Sequence, residues 1–297
     1  MIAAAIDIGT NTLLLTVGER LPDCTVRILR DEHSIARLGA GVDAAGNIGR
    51  EAIGRAAEIL RRYRNICDEA DVNLVAAVGT SALRDAANRD EVCAELGSVI
   101  GTEIRIIDGE TEAALSFSGS VECAESAIVL DIGGGSTEII AGRGGTIEYR
   151  TSMNIGAVRL TERFFGSFPP APEMVAAVSE AISEQLPVGI PAYPMTAVAG
   201  TPTTLAAIAL ELQVFSPEKV HNFHLTLETV RSLAEMLLRK PLPEILALPG
   251  VHPQRADILP AGALILKVAM EKFGYSHCTV STRGLRFGVL EEMLNSS

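Results

Sequence analysis

Short apolar runs alternate with longer amphipathic segments along the 297 residues of the chain. Short runs rich in Val, Ile and Ala predict buried strands, and apolar residues spaced three and four apart predict helices. In the first half the pattern predicts strands at residues 2–6, 13–17, 26–35, 74–78 and 104–107, and helices at 48–70 and 108–117. In the second half it predicts strands at 127–130, 137–141, 146–150 and 195–199, and helices at 156–164, 174–184, 203–210, 227–239 and 285–294. Strands that alternate with helices and glycine turns indicate an α/β fold.

Several residues mark predicted helix ends. Asn47 precedes the first long helix and is a candidate N-cap. Thr80 and Ser81 are natural N-caps for a helix that carries Arg84 in its first turn. Pro260 lies inside the apolar segment 253–272 and predicts a kink or a pair of helices there.

The strongest signal is an internal repeat. Asp7–Thr12, DIGTNT, is echoed by Asp131–Ser136, DIGGGS, and each follows an apolar run. A second pair, Gly79-Thr80-Ser81 and Gly200-Thr201-Pro202, recurs at nearly the same separation. Two motifs in the same order predict two similarly built α/β domains that face one cleft, with a junction near residues 118–126. Strand, glycine turn and strand predict a hairpin at each Asp-Ile-Gly copy.

Composition and charge exclude several classes of protein. The chain is 47% hydrophobic and 21% charged, the balance of a folded protein, and no apolar run is long enough to span a bilayer. Its formal net charge of −12 argues against nucleic-acid or membrane-surface partners. Cys24, Cys67, Cys93, Cys123 and Cys278 form no CxxC pair, so we expect free thiols and a cytoplasmic location.

The second hairpin carries the residue types of an anion and cation site. The glycine turn lets backbone N–H groups converge on an anion, and two hydroxyls follow it. The candidate phosphate ligands here are Gly133, Gly134, Gly135, Ser136 and Thr137. Asp131 and Glu138 flank the turn, and carboxylates on a short hairpin can share a divalent cation, Mg²⁺ or Mn²⁺. Ordinary surface acids beside a glycine hairpin are the alternative interpretation.

The first hairpin and the two Gly-Thr turns extend the candidate set. Gly9, Thr10 and Asn11 form the opposing loop, and Asp7 either reaches a metal through water or only hydrogen-bonds its own turn. Arg84 beside a helix N-terminus favours an anion, as do Thr80, Ser81, Gly200 and Thr201. The Gly200 turn carries no arginine of its own.

Acidic residues begin the helix predicted after residue 107. Asp108, Glu110 and Glu112 are each favoured by the helix dipole, and one of them could deprotonate an attacking water. Spacing leaves Glu110 and Glu112 as equal candidates. There is no Ser-His-Asp or Cys-His arrangement and no GxxxxGK[ST] loop in the sequence.

Together these segments resemble the exopolyphosphatase and guanosine pentaphosphate phosphohydrolase family. The resemblance covers Asp7–Thr12, Gly79–Asn88, Gly109–Ala113, Asp131–Glu138, Gly200–Thr204, Arg255–Gly262 and Ser281–Arg286. The family belongs to the superfamily of actin, sugar kinases and heat-shock ATPases, whose members have two duplicated ribonuclease-H-like domains. It implies domains at residues 1–120 and 121–284, with the helix 285–297 packed on the first.

The resemblance also implies roles. Glu112, the glutamate directly before an alanine, matches the family's catalytic base. Asp131 and Glu138 match the metal pair, with Asp7 as a further candidate. Arg84, Gly133, Ser136 and Arg255 match phosphate contacts. Phe287 stands where the family often has Glu, and longer members carry a further helical domain that extends the grip on long polyphosphate.

The implied activity is metal-dependent release of terminal orthophosphate from inorganic polyphosphate. Guanosine pentaphosphate hydrolysis uses the same chemistry and is an alternative, as are phosphate transfer to an acceptor and silent binding of an alarmone or nucleotide. A homodimer is among the expected assemblies. Because a charge of −12 repels a long polyanion, we expect a preference for short chains.

Overall fold

The computed structural model describes residues 1–23, 25–121 and 125–296. Cys24 and Cys123, two of the predicted free thiols, and part of the predicted junction lie outside these residues. The chain divides into two compact units, one formed by Met1–Gly119 with Gly284–Ser297, the other by Ser120–Arg283.

The first unit contains a sheet with strand order β3-β2-β1-β4-β5. Its strands are β1 (Ile2–Ile8), β2 (Thr12–Arg20), β3 (Val26–Ile35), β4 (Leu74–Gly79) and β5 (Ile104–Ile106). Its helices are α1 (Val42–Ala45), α2 (Arg50–Glu69), α3 (Ser81–Asp85), α4 (Arg89–Ile100), α5 (Gly109–Ser120) and α13 (Leu285–Asn295). β1, β2 and β3 form an antiparallel meander, and β4 and β5 extend it in parallel from β1.

The second unit repeats this arrangement and adds an edge strand. Its strands are β6 (Ser126–Ile132), β7 (Thr137–Arg143), β8 (Thr146–Met153), β9 (Met195–Val198), β10 (Phe223–Thr226) and β11 (His277–Val280), in the order β10-β11-β9-β6-β7-β8. Its helices are α6 (Ala157–Phe164), α7 (Pro172–Gln185), α8 (Gly200–Ala209), α9 (Pro217–Val220), α10 (Leu227–Arg239), α11 (Leu242–Leu246) and α12 (Leu259–Phe273), and Pro253–Arg255 form a 3₁₀ turn. β6, β7 and β8 are again an antiparallel meander, with β9 parallel to β6.

Alternation along β1 places apolar side chains on both faces of the first sheet. Ala4, Ile6 and Ile8 join the core formed with α2 and α4. Ala3 and Ala5 face the other way and join a smaller core with α5 and α13. A strand buried on both faces reads as a continuous apolar run, as residues 2–6 do.

Glycines let α5 and α13 approach closely. A Cβ on Gly288 would lie 2.0 Å from the carbonyl oxygen of Leu115, and a Cβ on Gly119 would lie 2.2 Å from that of Gly284. Backbone contact of this kind fixes α5, the helix that carries Glu112, against the closing helix of the same unit.

Several sequence predictions need correction. Asn47 does not cap α2, which begins after Gly49, and the Asn47 amide instead donates to the Ala45 carbonyl. Thr80 is at the N-cap position of α3 but makes no side-chain capping bond. Helix α4 and strands β10 and β11 were not predicted. Pro260 lies in the first turn of α12, where its missing N–H costs nothing, so α12 follows the 3₁₀ turn without a proline kink in its interior.

Candidate functional site

The two Asp-Ile-Gly motifs form matching hairpin tips, one in each unit. The N–H of Gly9 donates to the carbonyl of Thr12 at 3.1 Å, and that of Gly133 to the carbonyl of Ser136 at 3.0 Å. A Cβ at Gly9 would lie 2.9 Å from the Thr12 carbonyl oxygen, and a Cβ at Gly133 would lie 3.0 Å from that of Ser136, so a side chain at either position would crowd the turn. The predicted hairpins are therefore present in both halves.

In the second hairpin, helix α6 holds the carbonyl groups of the turn. The N–H of Ala157 donates to the Gly133 carbonyl at 3.0 Å, and the N–H groups of Val158 and Arg159 donate to the Gly134 carbonyl at 2.8 and 3.1 Å. The Arg159 side chain donates from Nε to the Gly135 carbonyl at 2.7 Å. A Cβ at Gly156 would lie 2.4 Å from the Gly134 carbonyl oxygen, so a glycine is required at the start of this helix.

These bonds decide where the N–H groups of the turn point. In a trans peptide the C=O of one residue and the N–H of the next point in opposite directions. Because the carbonyls of Gly133, Gly134 and Gly135 face α6, the N–H groups of Gly134, Gly135 and Ser136 face away from it. Successive N–H groups on one side of a turn form a concave anion site.

In the first hairpin, backbone N–H groups alone hold the carbonyl groups of the turn. The N–H of Gly39 donates to the Thr10 carbonyl at 2.8 Å, and those of Ala36 and Arg37 donate to the Asn11 carbonyl at 3.0 and 2.9 Å. The N–H groups of Asn11 and Thr12 therefore point away from this segment. Asn11 is buried, and its side-chain oxygen has no hydrogen-bond partner within the described residues.

The carboxylates of Asp131 and Glu138 lie on directly opposite strand positions. The two residues are Cα partners in the β6–β7 ladder, so their side chains leave the same face of the sheet. Glu138 is 1% exposed, and Ser152 on β8 donates to its Oε1 at 2.7 Å. Like charges at opposite positions destabilise a sheet unless something compensates them, and a cation between the carboxylates does so.

The first hairpin lacks this pair. Asp7 lies opposite Leu14, not opposite a second acid. The described residues contain no group of three or more His, Cys, Asp or Glu side chains that could hold a metal. The opposed carboxylates of Asp131 and Glu138 fit a cation of the Mg²⁺ type, which is bound by few protein carboxylates and completed by phosphate and water.

Arg84 and Glu112 form an ion pair in the first unit. Arg84 Nη1 donates to Glu112 Oε2 at 2.5 Å and to the Ile107 carbonyl at 3.0 Å. Glu112 is 8% exposed, whereas Glu110 is exposed. Asp108 accepts the N–H of Thr111 at 2.7 Å and so caps the start of α5. Glu110 and Glu112, which spacing could not separate, thus differ in burial.

Arg255 supplies the arginine that the Gly200 turn lacks in sequence. Its Nη1 donates to the Gly200 carbonyl at 3.2 Å and to Thr204 Oγ1 at 3.1 Å. A Cβ on Gly200 would lie 2.6 Å from the guanidinium carbon, so only glycine lets the two approach. Burial lowers the pKa of Arg255 to about 10, which leaves it cationic at neutral pH.

Comparison with known proteins identifies the family of the chain. The model described as the Ppx/GppA phosphatase family matches residues 19–297. The chain belongs to the Ppx/GppA phosphatase family. The resemblance drawn from the motifs is confirmed, as is the predicted reaction class, hydrolysis of a phosphate bond.

Three relatives of this Ppx/GppA protein match over nearly their whole lengths. An exopolyphosphatase 2 of Mycobacterium tuberculosis is 33% identical, with 96% of each chain covered. The structure of an exopolyphosphatase from Cytophaga hutchinsonii has a TM-score of 0.91 at 30% identity and covers 100% of this chain and 98% of that one. A Ppx-GppA enzyme of Aquifex aeolicus has a TM-score of 0.84 at 32% identity and covers 98% and 99%. The predicted α/β class with two similarly built domains is confirmed by these neighbours and by the repeated sheet order.

Sequence reasoning missed the residues that support the Ppx/GppA loops. Ser152, Arg159, Gly39 and Gly156 were not singled out. The signal that could have found Gly39 and Gly156 is positional, because each follows the third strand of its half. In the described part of the chain Cys67, Cys93 and Cys278 are free, and no helix there is both long and apolar enough to span a membrane.

Proposed function

We propose that this Ppx/GppA protein is a metal-dependent exopolyphosphatase, which releases terminal orthophosphate from inorganic polyphosphate. The observation that carries the proposal is the β6–β7 hairpin, which sets outward N–H groups beside two opposed carboxylates. The likeness to an exopolyphosphatase at 33% identity over 96% of the chain supports the choice of substrate.

In the proposed reaction the N–H groups of Gly134, Gly135 and Ser136 bind phosphate oxygens, with the Ser136 hydroxyl as a further donor. The hydroxyl of Thr137, which the sequence suggested as a phosphate ligand, is buried and donates to the Ile155 carbonyl at 2.6 Å, so we assign it to the support of the turn. Asp131 and Glu138 would hold the divalent cation, which when bound neutralises charge on phosphate oxygens. The first hairpin, Gly9, Thr10 and Asn11, offers a second set of donors. Fixed dipoles and charges of this kind provide most of the rate enhancement in phosphoryl transfer.

Glu112 is the proposed general base and Arg84 the proposed contact to the transferred phosphoryl group. The hydrogen bond from Arg84 orients the Glu112 carboxylate, which can then accept a proton from the attacking water. Phosphate then competes with Glu112 for Arg84. Thr80, Ser81, Gly200, Thr201 and Arg255 are proposed as further phosphate contacts. Asp7 lies opposite Leu14 in the β1–β2 ladder, and we propose that it contacts the metal through water.

Finer features also stay proposals. Mg²⁺ is the proposed cation because the carboxylate pair is oxygen-only, and Mn²⁺ suits the same ligands. Guanosine pentaphosphate is an alternative substrate with the same terminal phosphoric anhydride. A cytoplasmic location and a homodimer remain predictions of the sequence.

The test is phosphate release from tripolyphosphate, long-chain polyphosphate and guanosine pentaphosphate, each with Mg²⁺ or with EDTA. We expect release from polyphosphate with Mg²⁺, strong loss with EDTA, and recovery when Mg²⁺ is restored. Asp131→Asn is the matched variant, because it keeps size and removes one charge of the pair. Full activity in EDTA, or the absence of release from every polyphosphate, would refute the proposal.

A further inference from the structure

The carbonyl of Gly135 is held differently from its neighbours in the glycine turn. Backbone N–H groups at the start of α6 bind the carbonyls of Gly133 and Gly134. The Gly135 carbonyl instead accepts from a side chain, Nε of Arg159, at 2.7 Å. The corresponding carbonyls of the first hairpin, at Thr10 and Asn11, are bound by backbone N–H groups.

A side-chain anchor matters here because the peptide it holds can rotate. A rotation of the peptide between Gly135 and Ser136 changes ψ of Gly135 and φ of Ser136, and the missing Cβ of Gly135 removes the steric restriction on the glycine side. A flip would turn the Gly135 carbonyl oxygen, an acceptor, toward the anion and turn the Ser136 N–H away from it. A charged guanidinium donor opposes the flip more strongly than a neutral donor would.

We propose that Arg159 is a positioning residue of the phosphate loop: through its bond to the Gly135 carbonyl it keeps the Ser136 N–H turned toward bound phosphate. The inference rests on the proposed function, because it assumes that this turn binds phosphate. Arg159 acts through the peptide it orients, and its role is separate from that of the residues that contact the reacting atoms.

Two substitutions separate orientation from charge. Arg159→Met removes the donor and keeps a side chain that reaches as far as the position of Nε. Arg159→Gln places an amide N–H at the same number of bonds from Cβ as Nε, without the charge. Arg163→Met is the matched control, since Arg163 is an exposed arginine on the same helix.

We expect Arg159→Met to lower kcat for tripolyphosphate about 10- to 100-fold, below the full loss seen when an oxyanion donor is deleted. Arg159→Gln should restore most of that loss, and Arg163→Met should behave as the wild type. Equal damage by Met and Gln would mean that a hydrogen-bond donor at this position does not restore the loop, and would overturn the proposal. Wild-type kinetics in Arg159→Met would overturn it as well.

A second readout does not depend on hydrolysis. In ¹⁵N-labelled protein the Ser136 amide proton should shift downfield on addition of inorganic phosphate in the wild type and in Arg159→Gln, and should not shift in Arg159→Met. If phosphate shifts the Ser136 amide proton of Arg159→Met as far as that of the wild type, the positioning role is refuted. If the wild type binds phosphate with this shift but releases none from any polyphosphate, the proposed function fails and the positioning role stands.

Discussion

Glu112→Gln tests the proposed base with little change of shape. In the structure Glu112 Oε2 accepts from Arg84 Nη1 at 2.5 Å, and a glutamine oxygen can accept the same bond. The substitution therefore removes the negative charge and the basicity while it keeps the hydrogen bond. General-base catalysis contributes about 10²- to 10⁴-fold, or about 3–5 kcal/mol of activation free energy, and kcat should fall by that factor.

KM should stay unchanged or fall in the same variant. Arg84 is neutralised by Glu112 in the wild type, and their side chains are 21% and 11% exposed. With a neutral partner, Arg84 keeps its full positive charge for phosphate. Loss of the charged hydrogen bond should cost about 1–2 kcal/mol of unfolding free energy, which a thermal melt would detect.

Glu110→Gln is the matched control. It makes the same chemical change on the same helix, at an exposed position two residues earlier. Steady-state phosphate release from tripolyphosphate with saturating Mg²⁺ would be measured for both variants. The assignment is wrong if Glu112→Gln retains near-full kcat, or if Glu110→Gln loses as much.

Three further outcomes are expected. Ser152→Ala removes the donor to Glu138 Oε1 and should raise the Mg²⁺ concentration for half-maximal activity about 10- to 100-fold. If the Mg²⁺ titration is unchanged, the assignment of the carboxylate pair to the metal is contradicted. Arg286→Met breaks a two-bond pair with Asp31, at 2.8 and 2.9 Å, in which Arg286 is 3% exposed, and should cost about 2–4 kcal/mol of unfolding free energy in urea. Burial raises the pKa of Asp31, but hydrogen bonds and charge from His33 and Arg286 outweigh burial and hold that pKa well below its usual range. The pair's contribution is therefore full above the unfolded value of about 4 and is lost as pH falls below it, so the difference between wild type and Arg286→Met should shrink at pH 3. Finally, kcat/KM should not increase with polyphosphate chain length into hundreds of units, and added NaCl should lower KM most for long chains, because the net charge of −12 is then screened.

The fold was predictable where local pattern determines structure. The two hairpins follow from a repeated apolar run, an aspartate and a glycine turn, and all of these are local in sequence. Helix α4 was missed because Gly97 interrupts its apolar pattern. A Cβ there would lie 2.9 Å from the Thr102 carbonyl oxygen, so this glycine serves packing and does not end the helix.

The site was less predictable, because its geometry depends on contacts between distant segments. Glu110 and Glu112 are alike in sequence, and what separates them is the burial of α5, which packs against α13 through Gly119 and Gly288. Arg255 reaches the Gly200 turn across 55 residues. No local pattern signals such pairs, although the glycines that allow them are visible in the sequence.

The duplicated halves share a scaffold and differ in chemistry. In both hairpins a neighbouring segment donates hydrogen bonds to the carbonyls of the turn, so the N–H groups of the turn point the other way. Both turns can therefore bind an anion. Only the second places a carboxylate opposite its aspartate, Glu138 against Asp131, where the first has Leu14 against Asp7. The residue at one strand position, Glu138 in the second hairpin and Leu14 in the first, therefore determines which hairpin has two opposed carboxylates for a cation. The proposed base, Glu112, lies in the half whose hairpin lacks the second acid, so the residues assigned to the proposed reaction come from both halves of the chain.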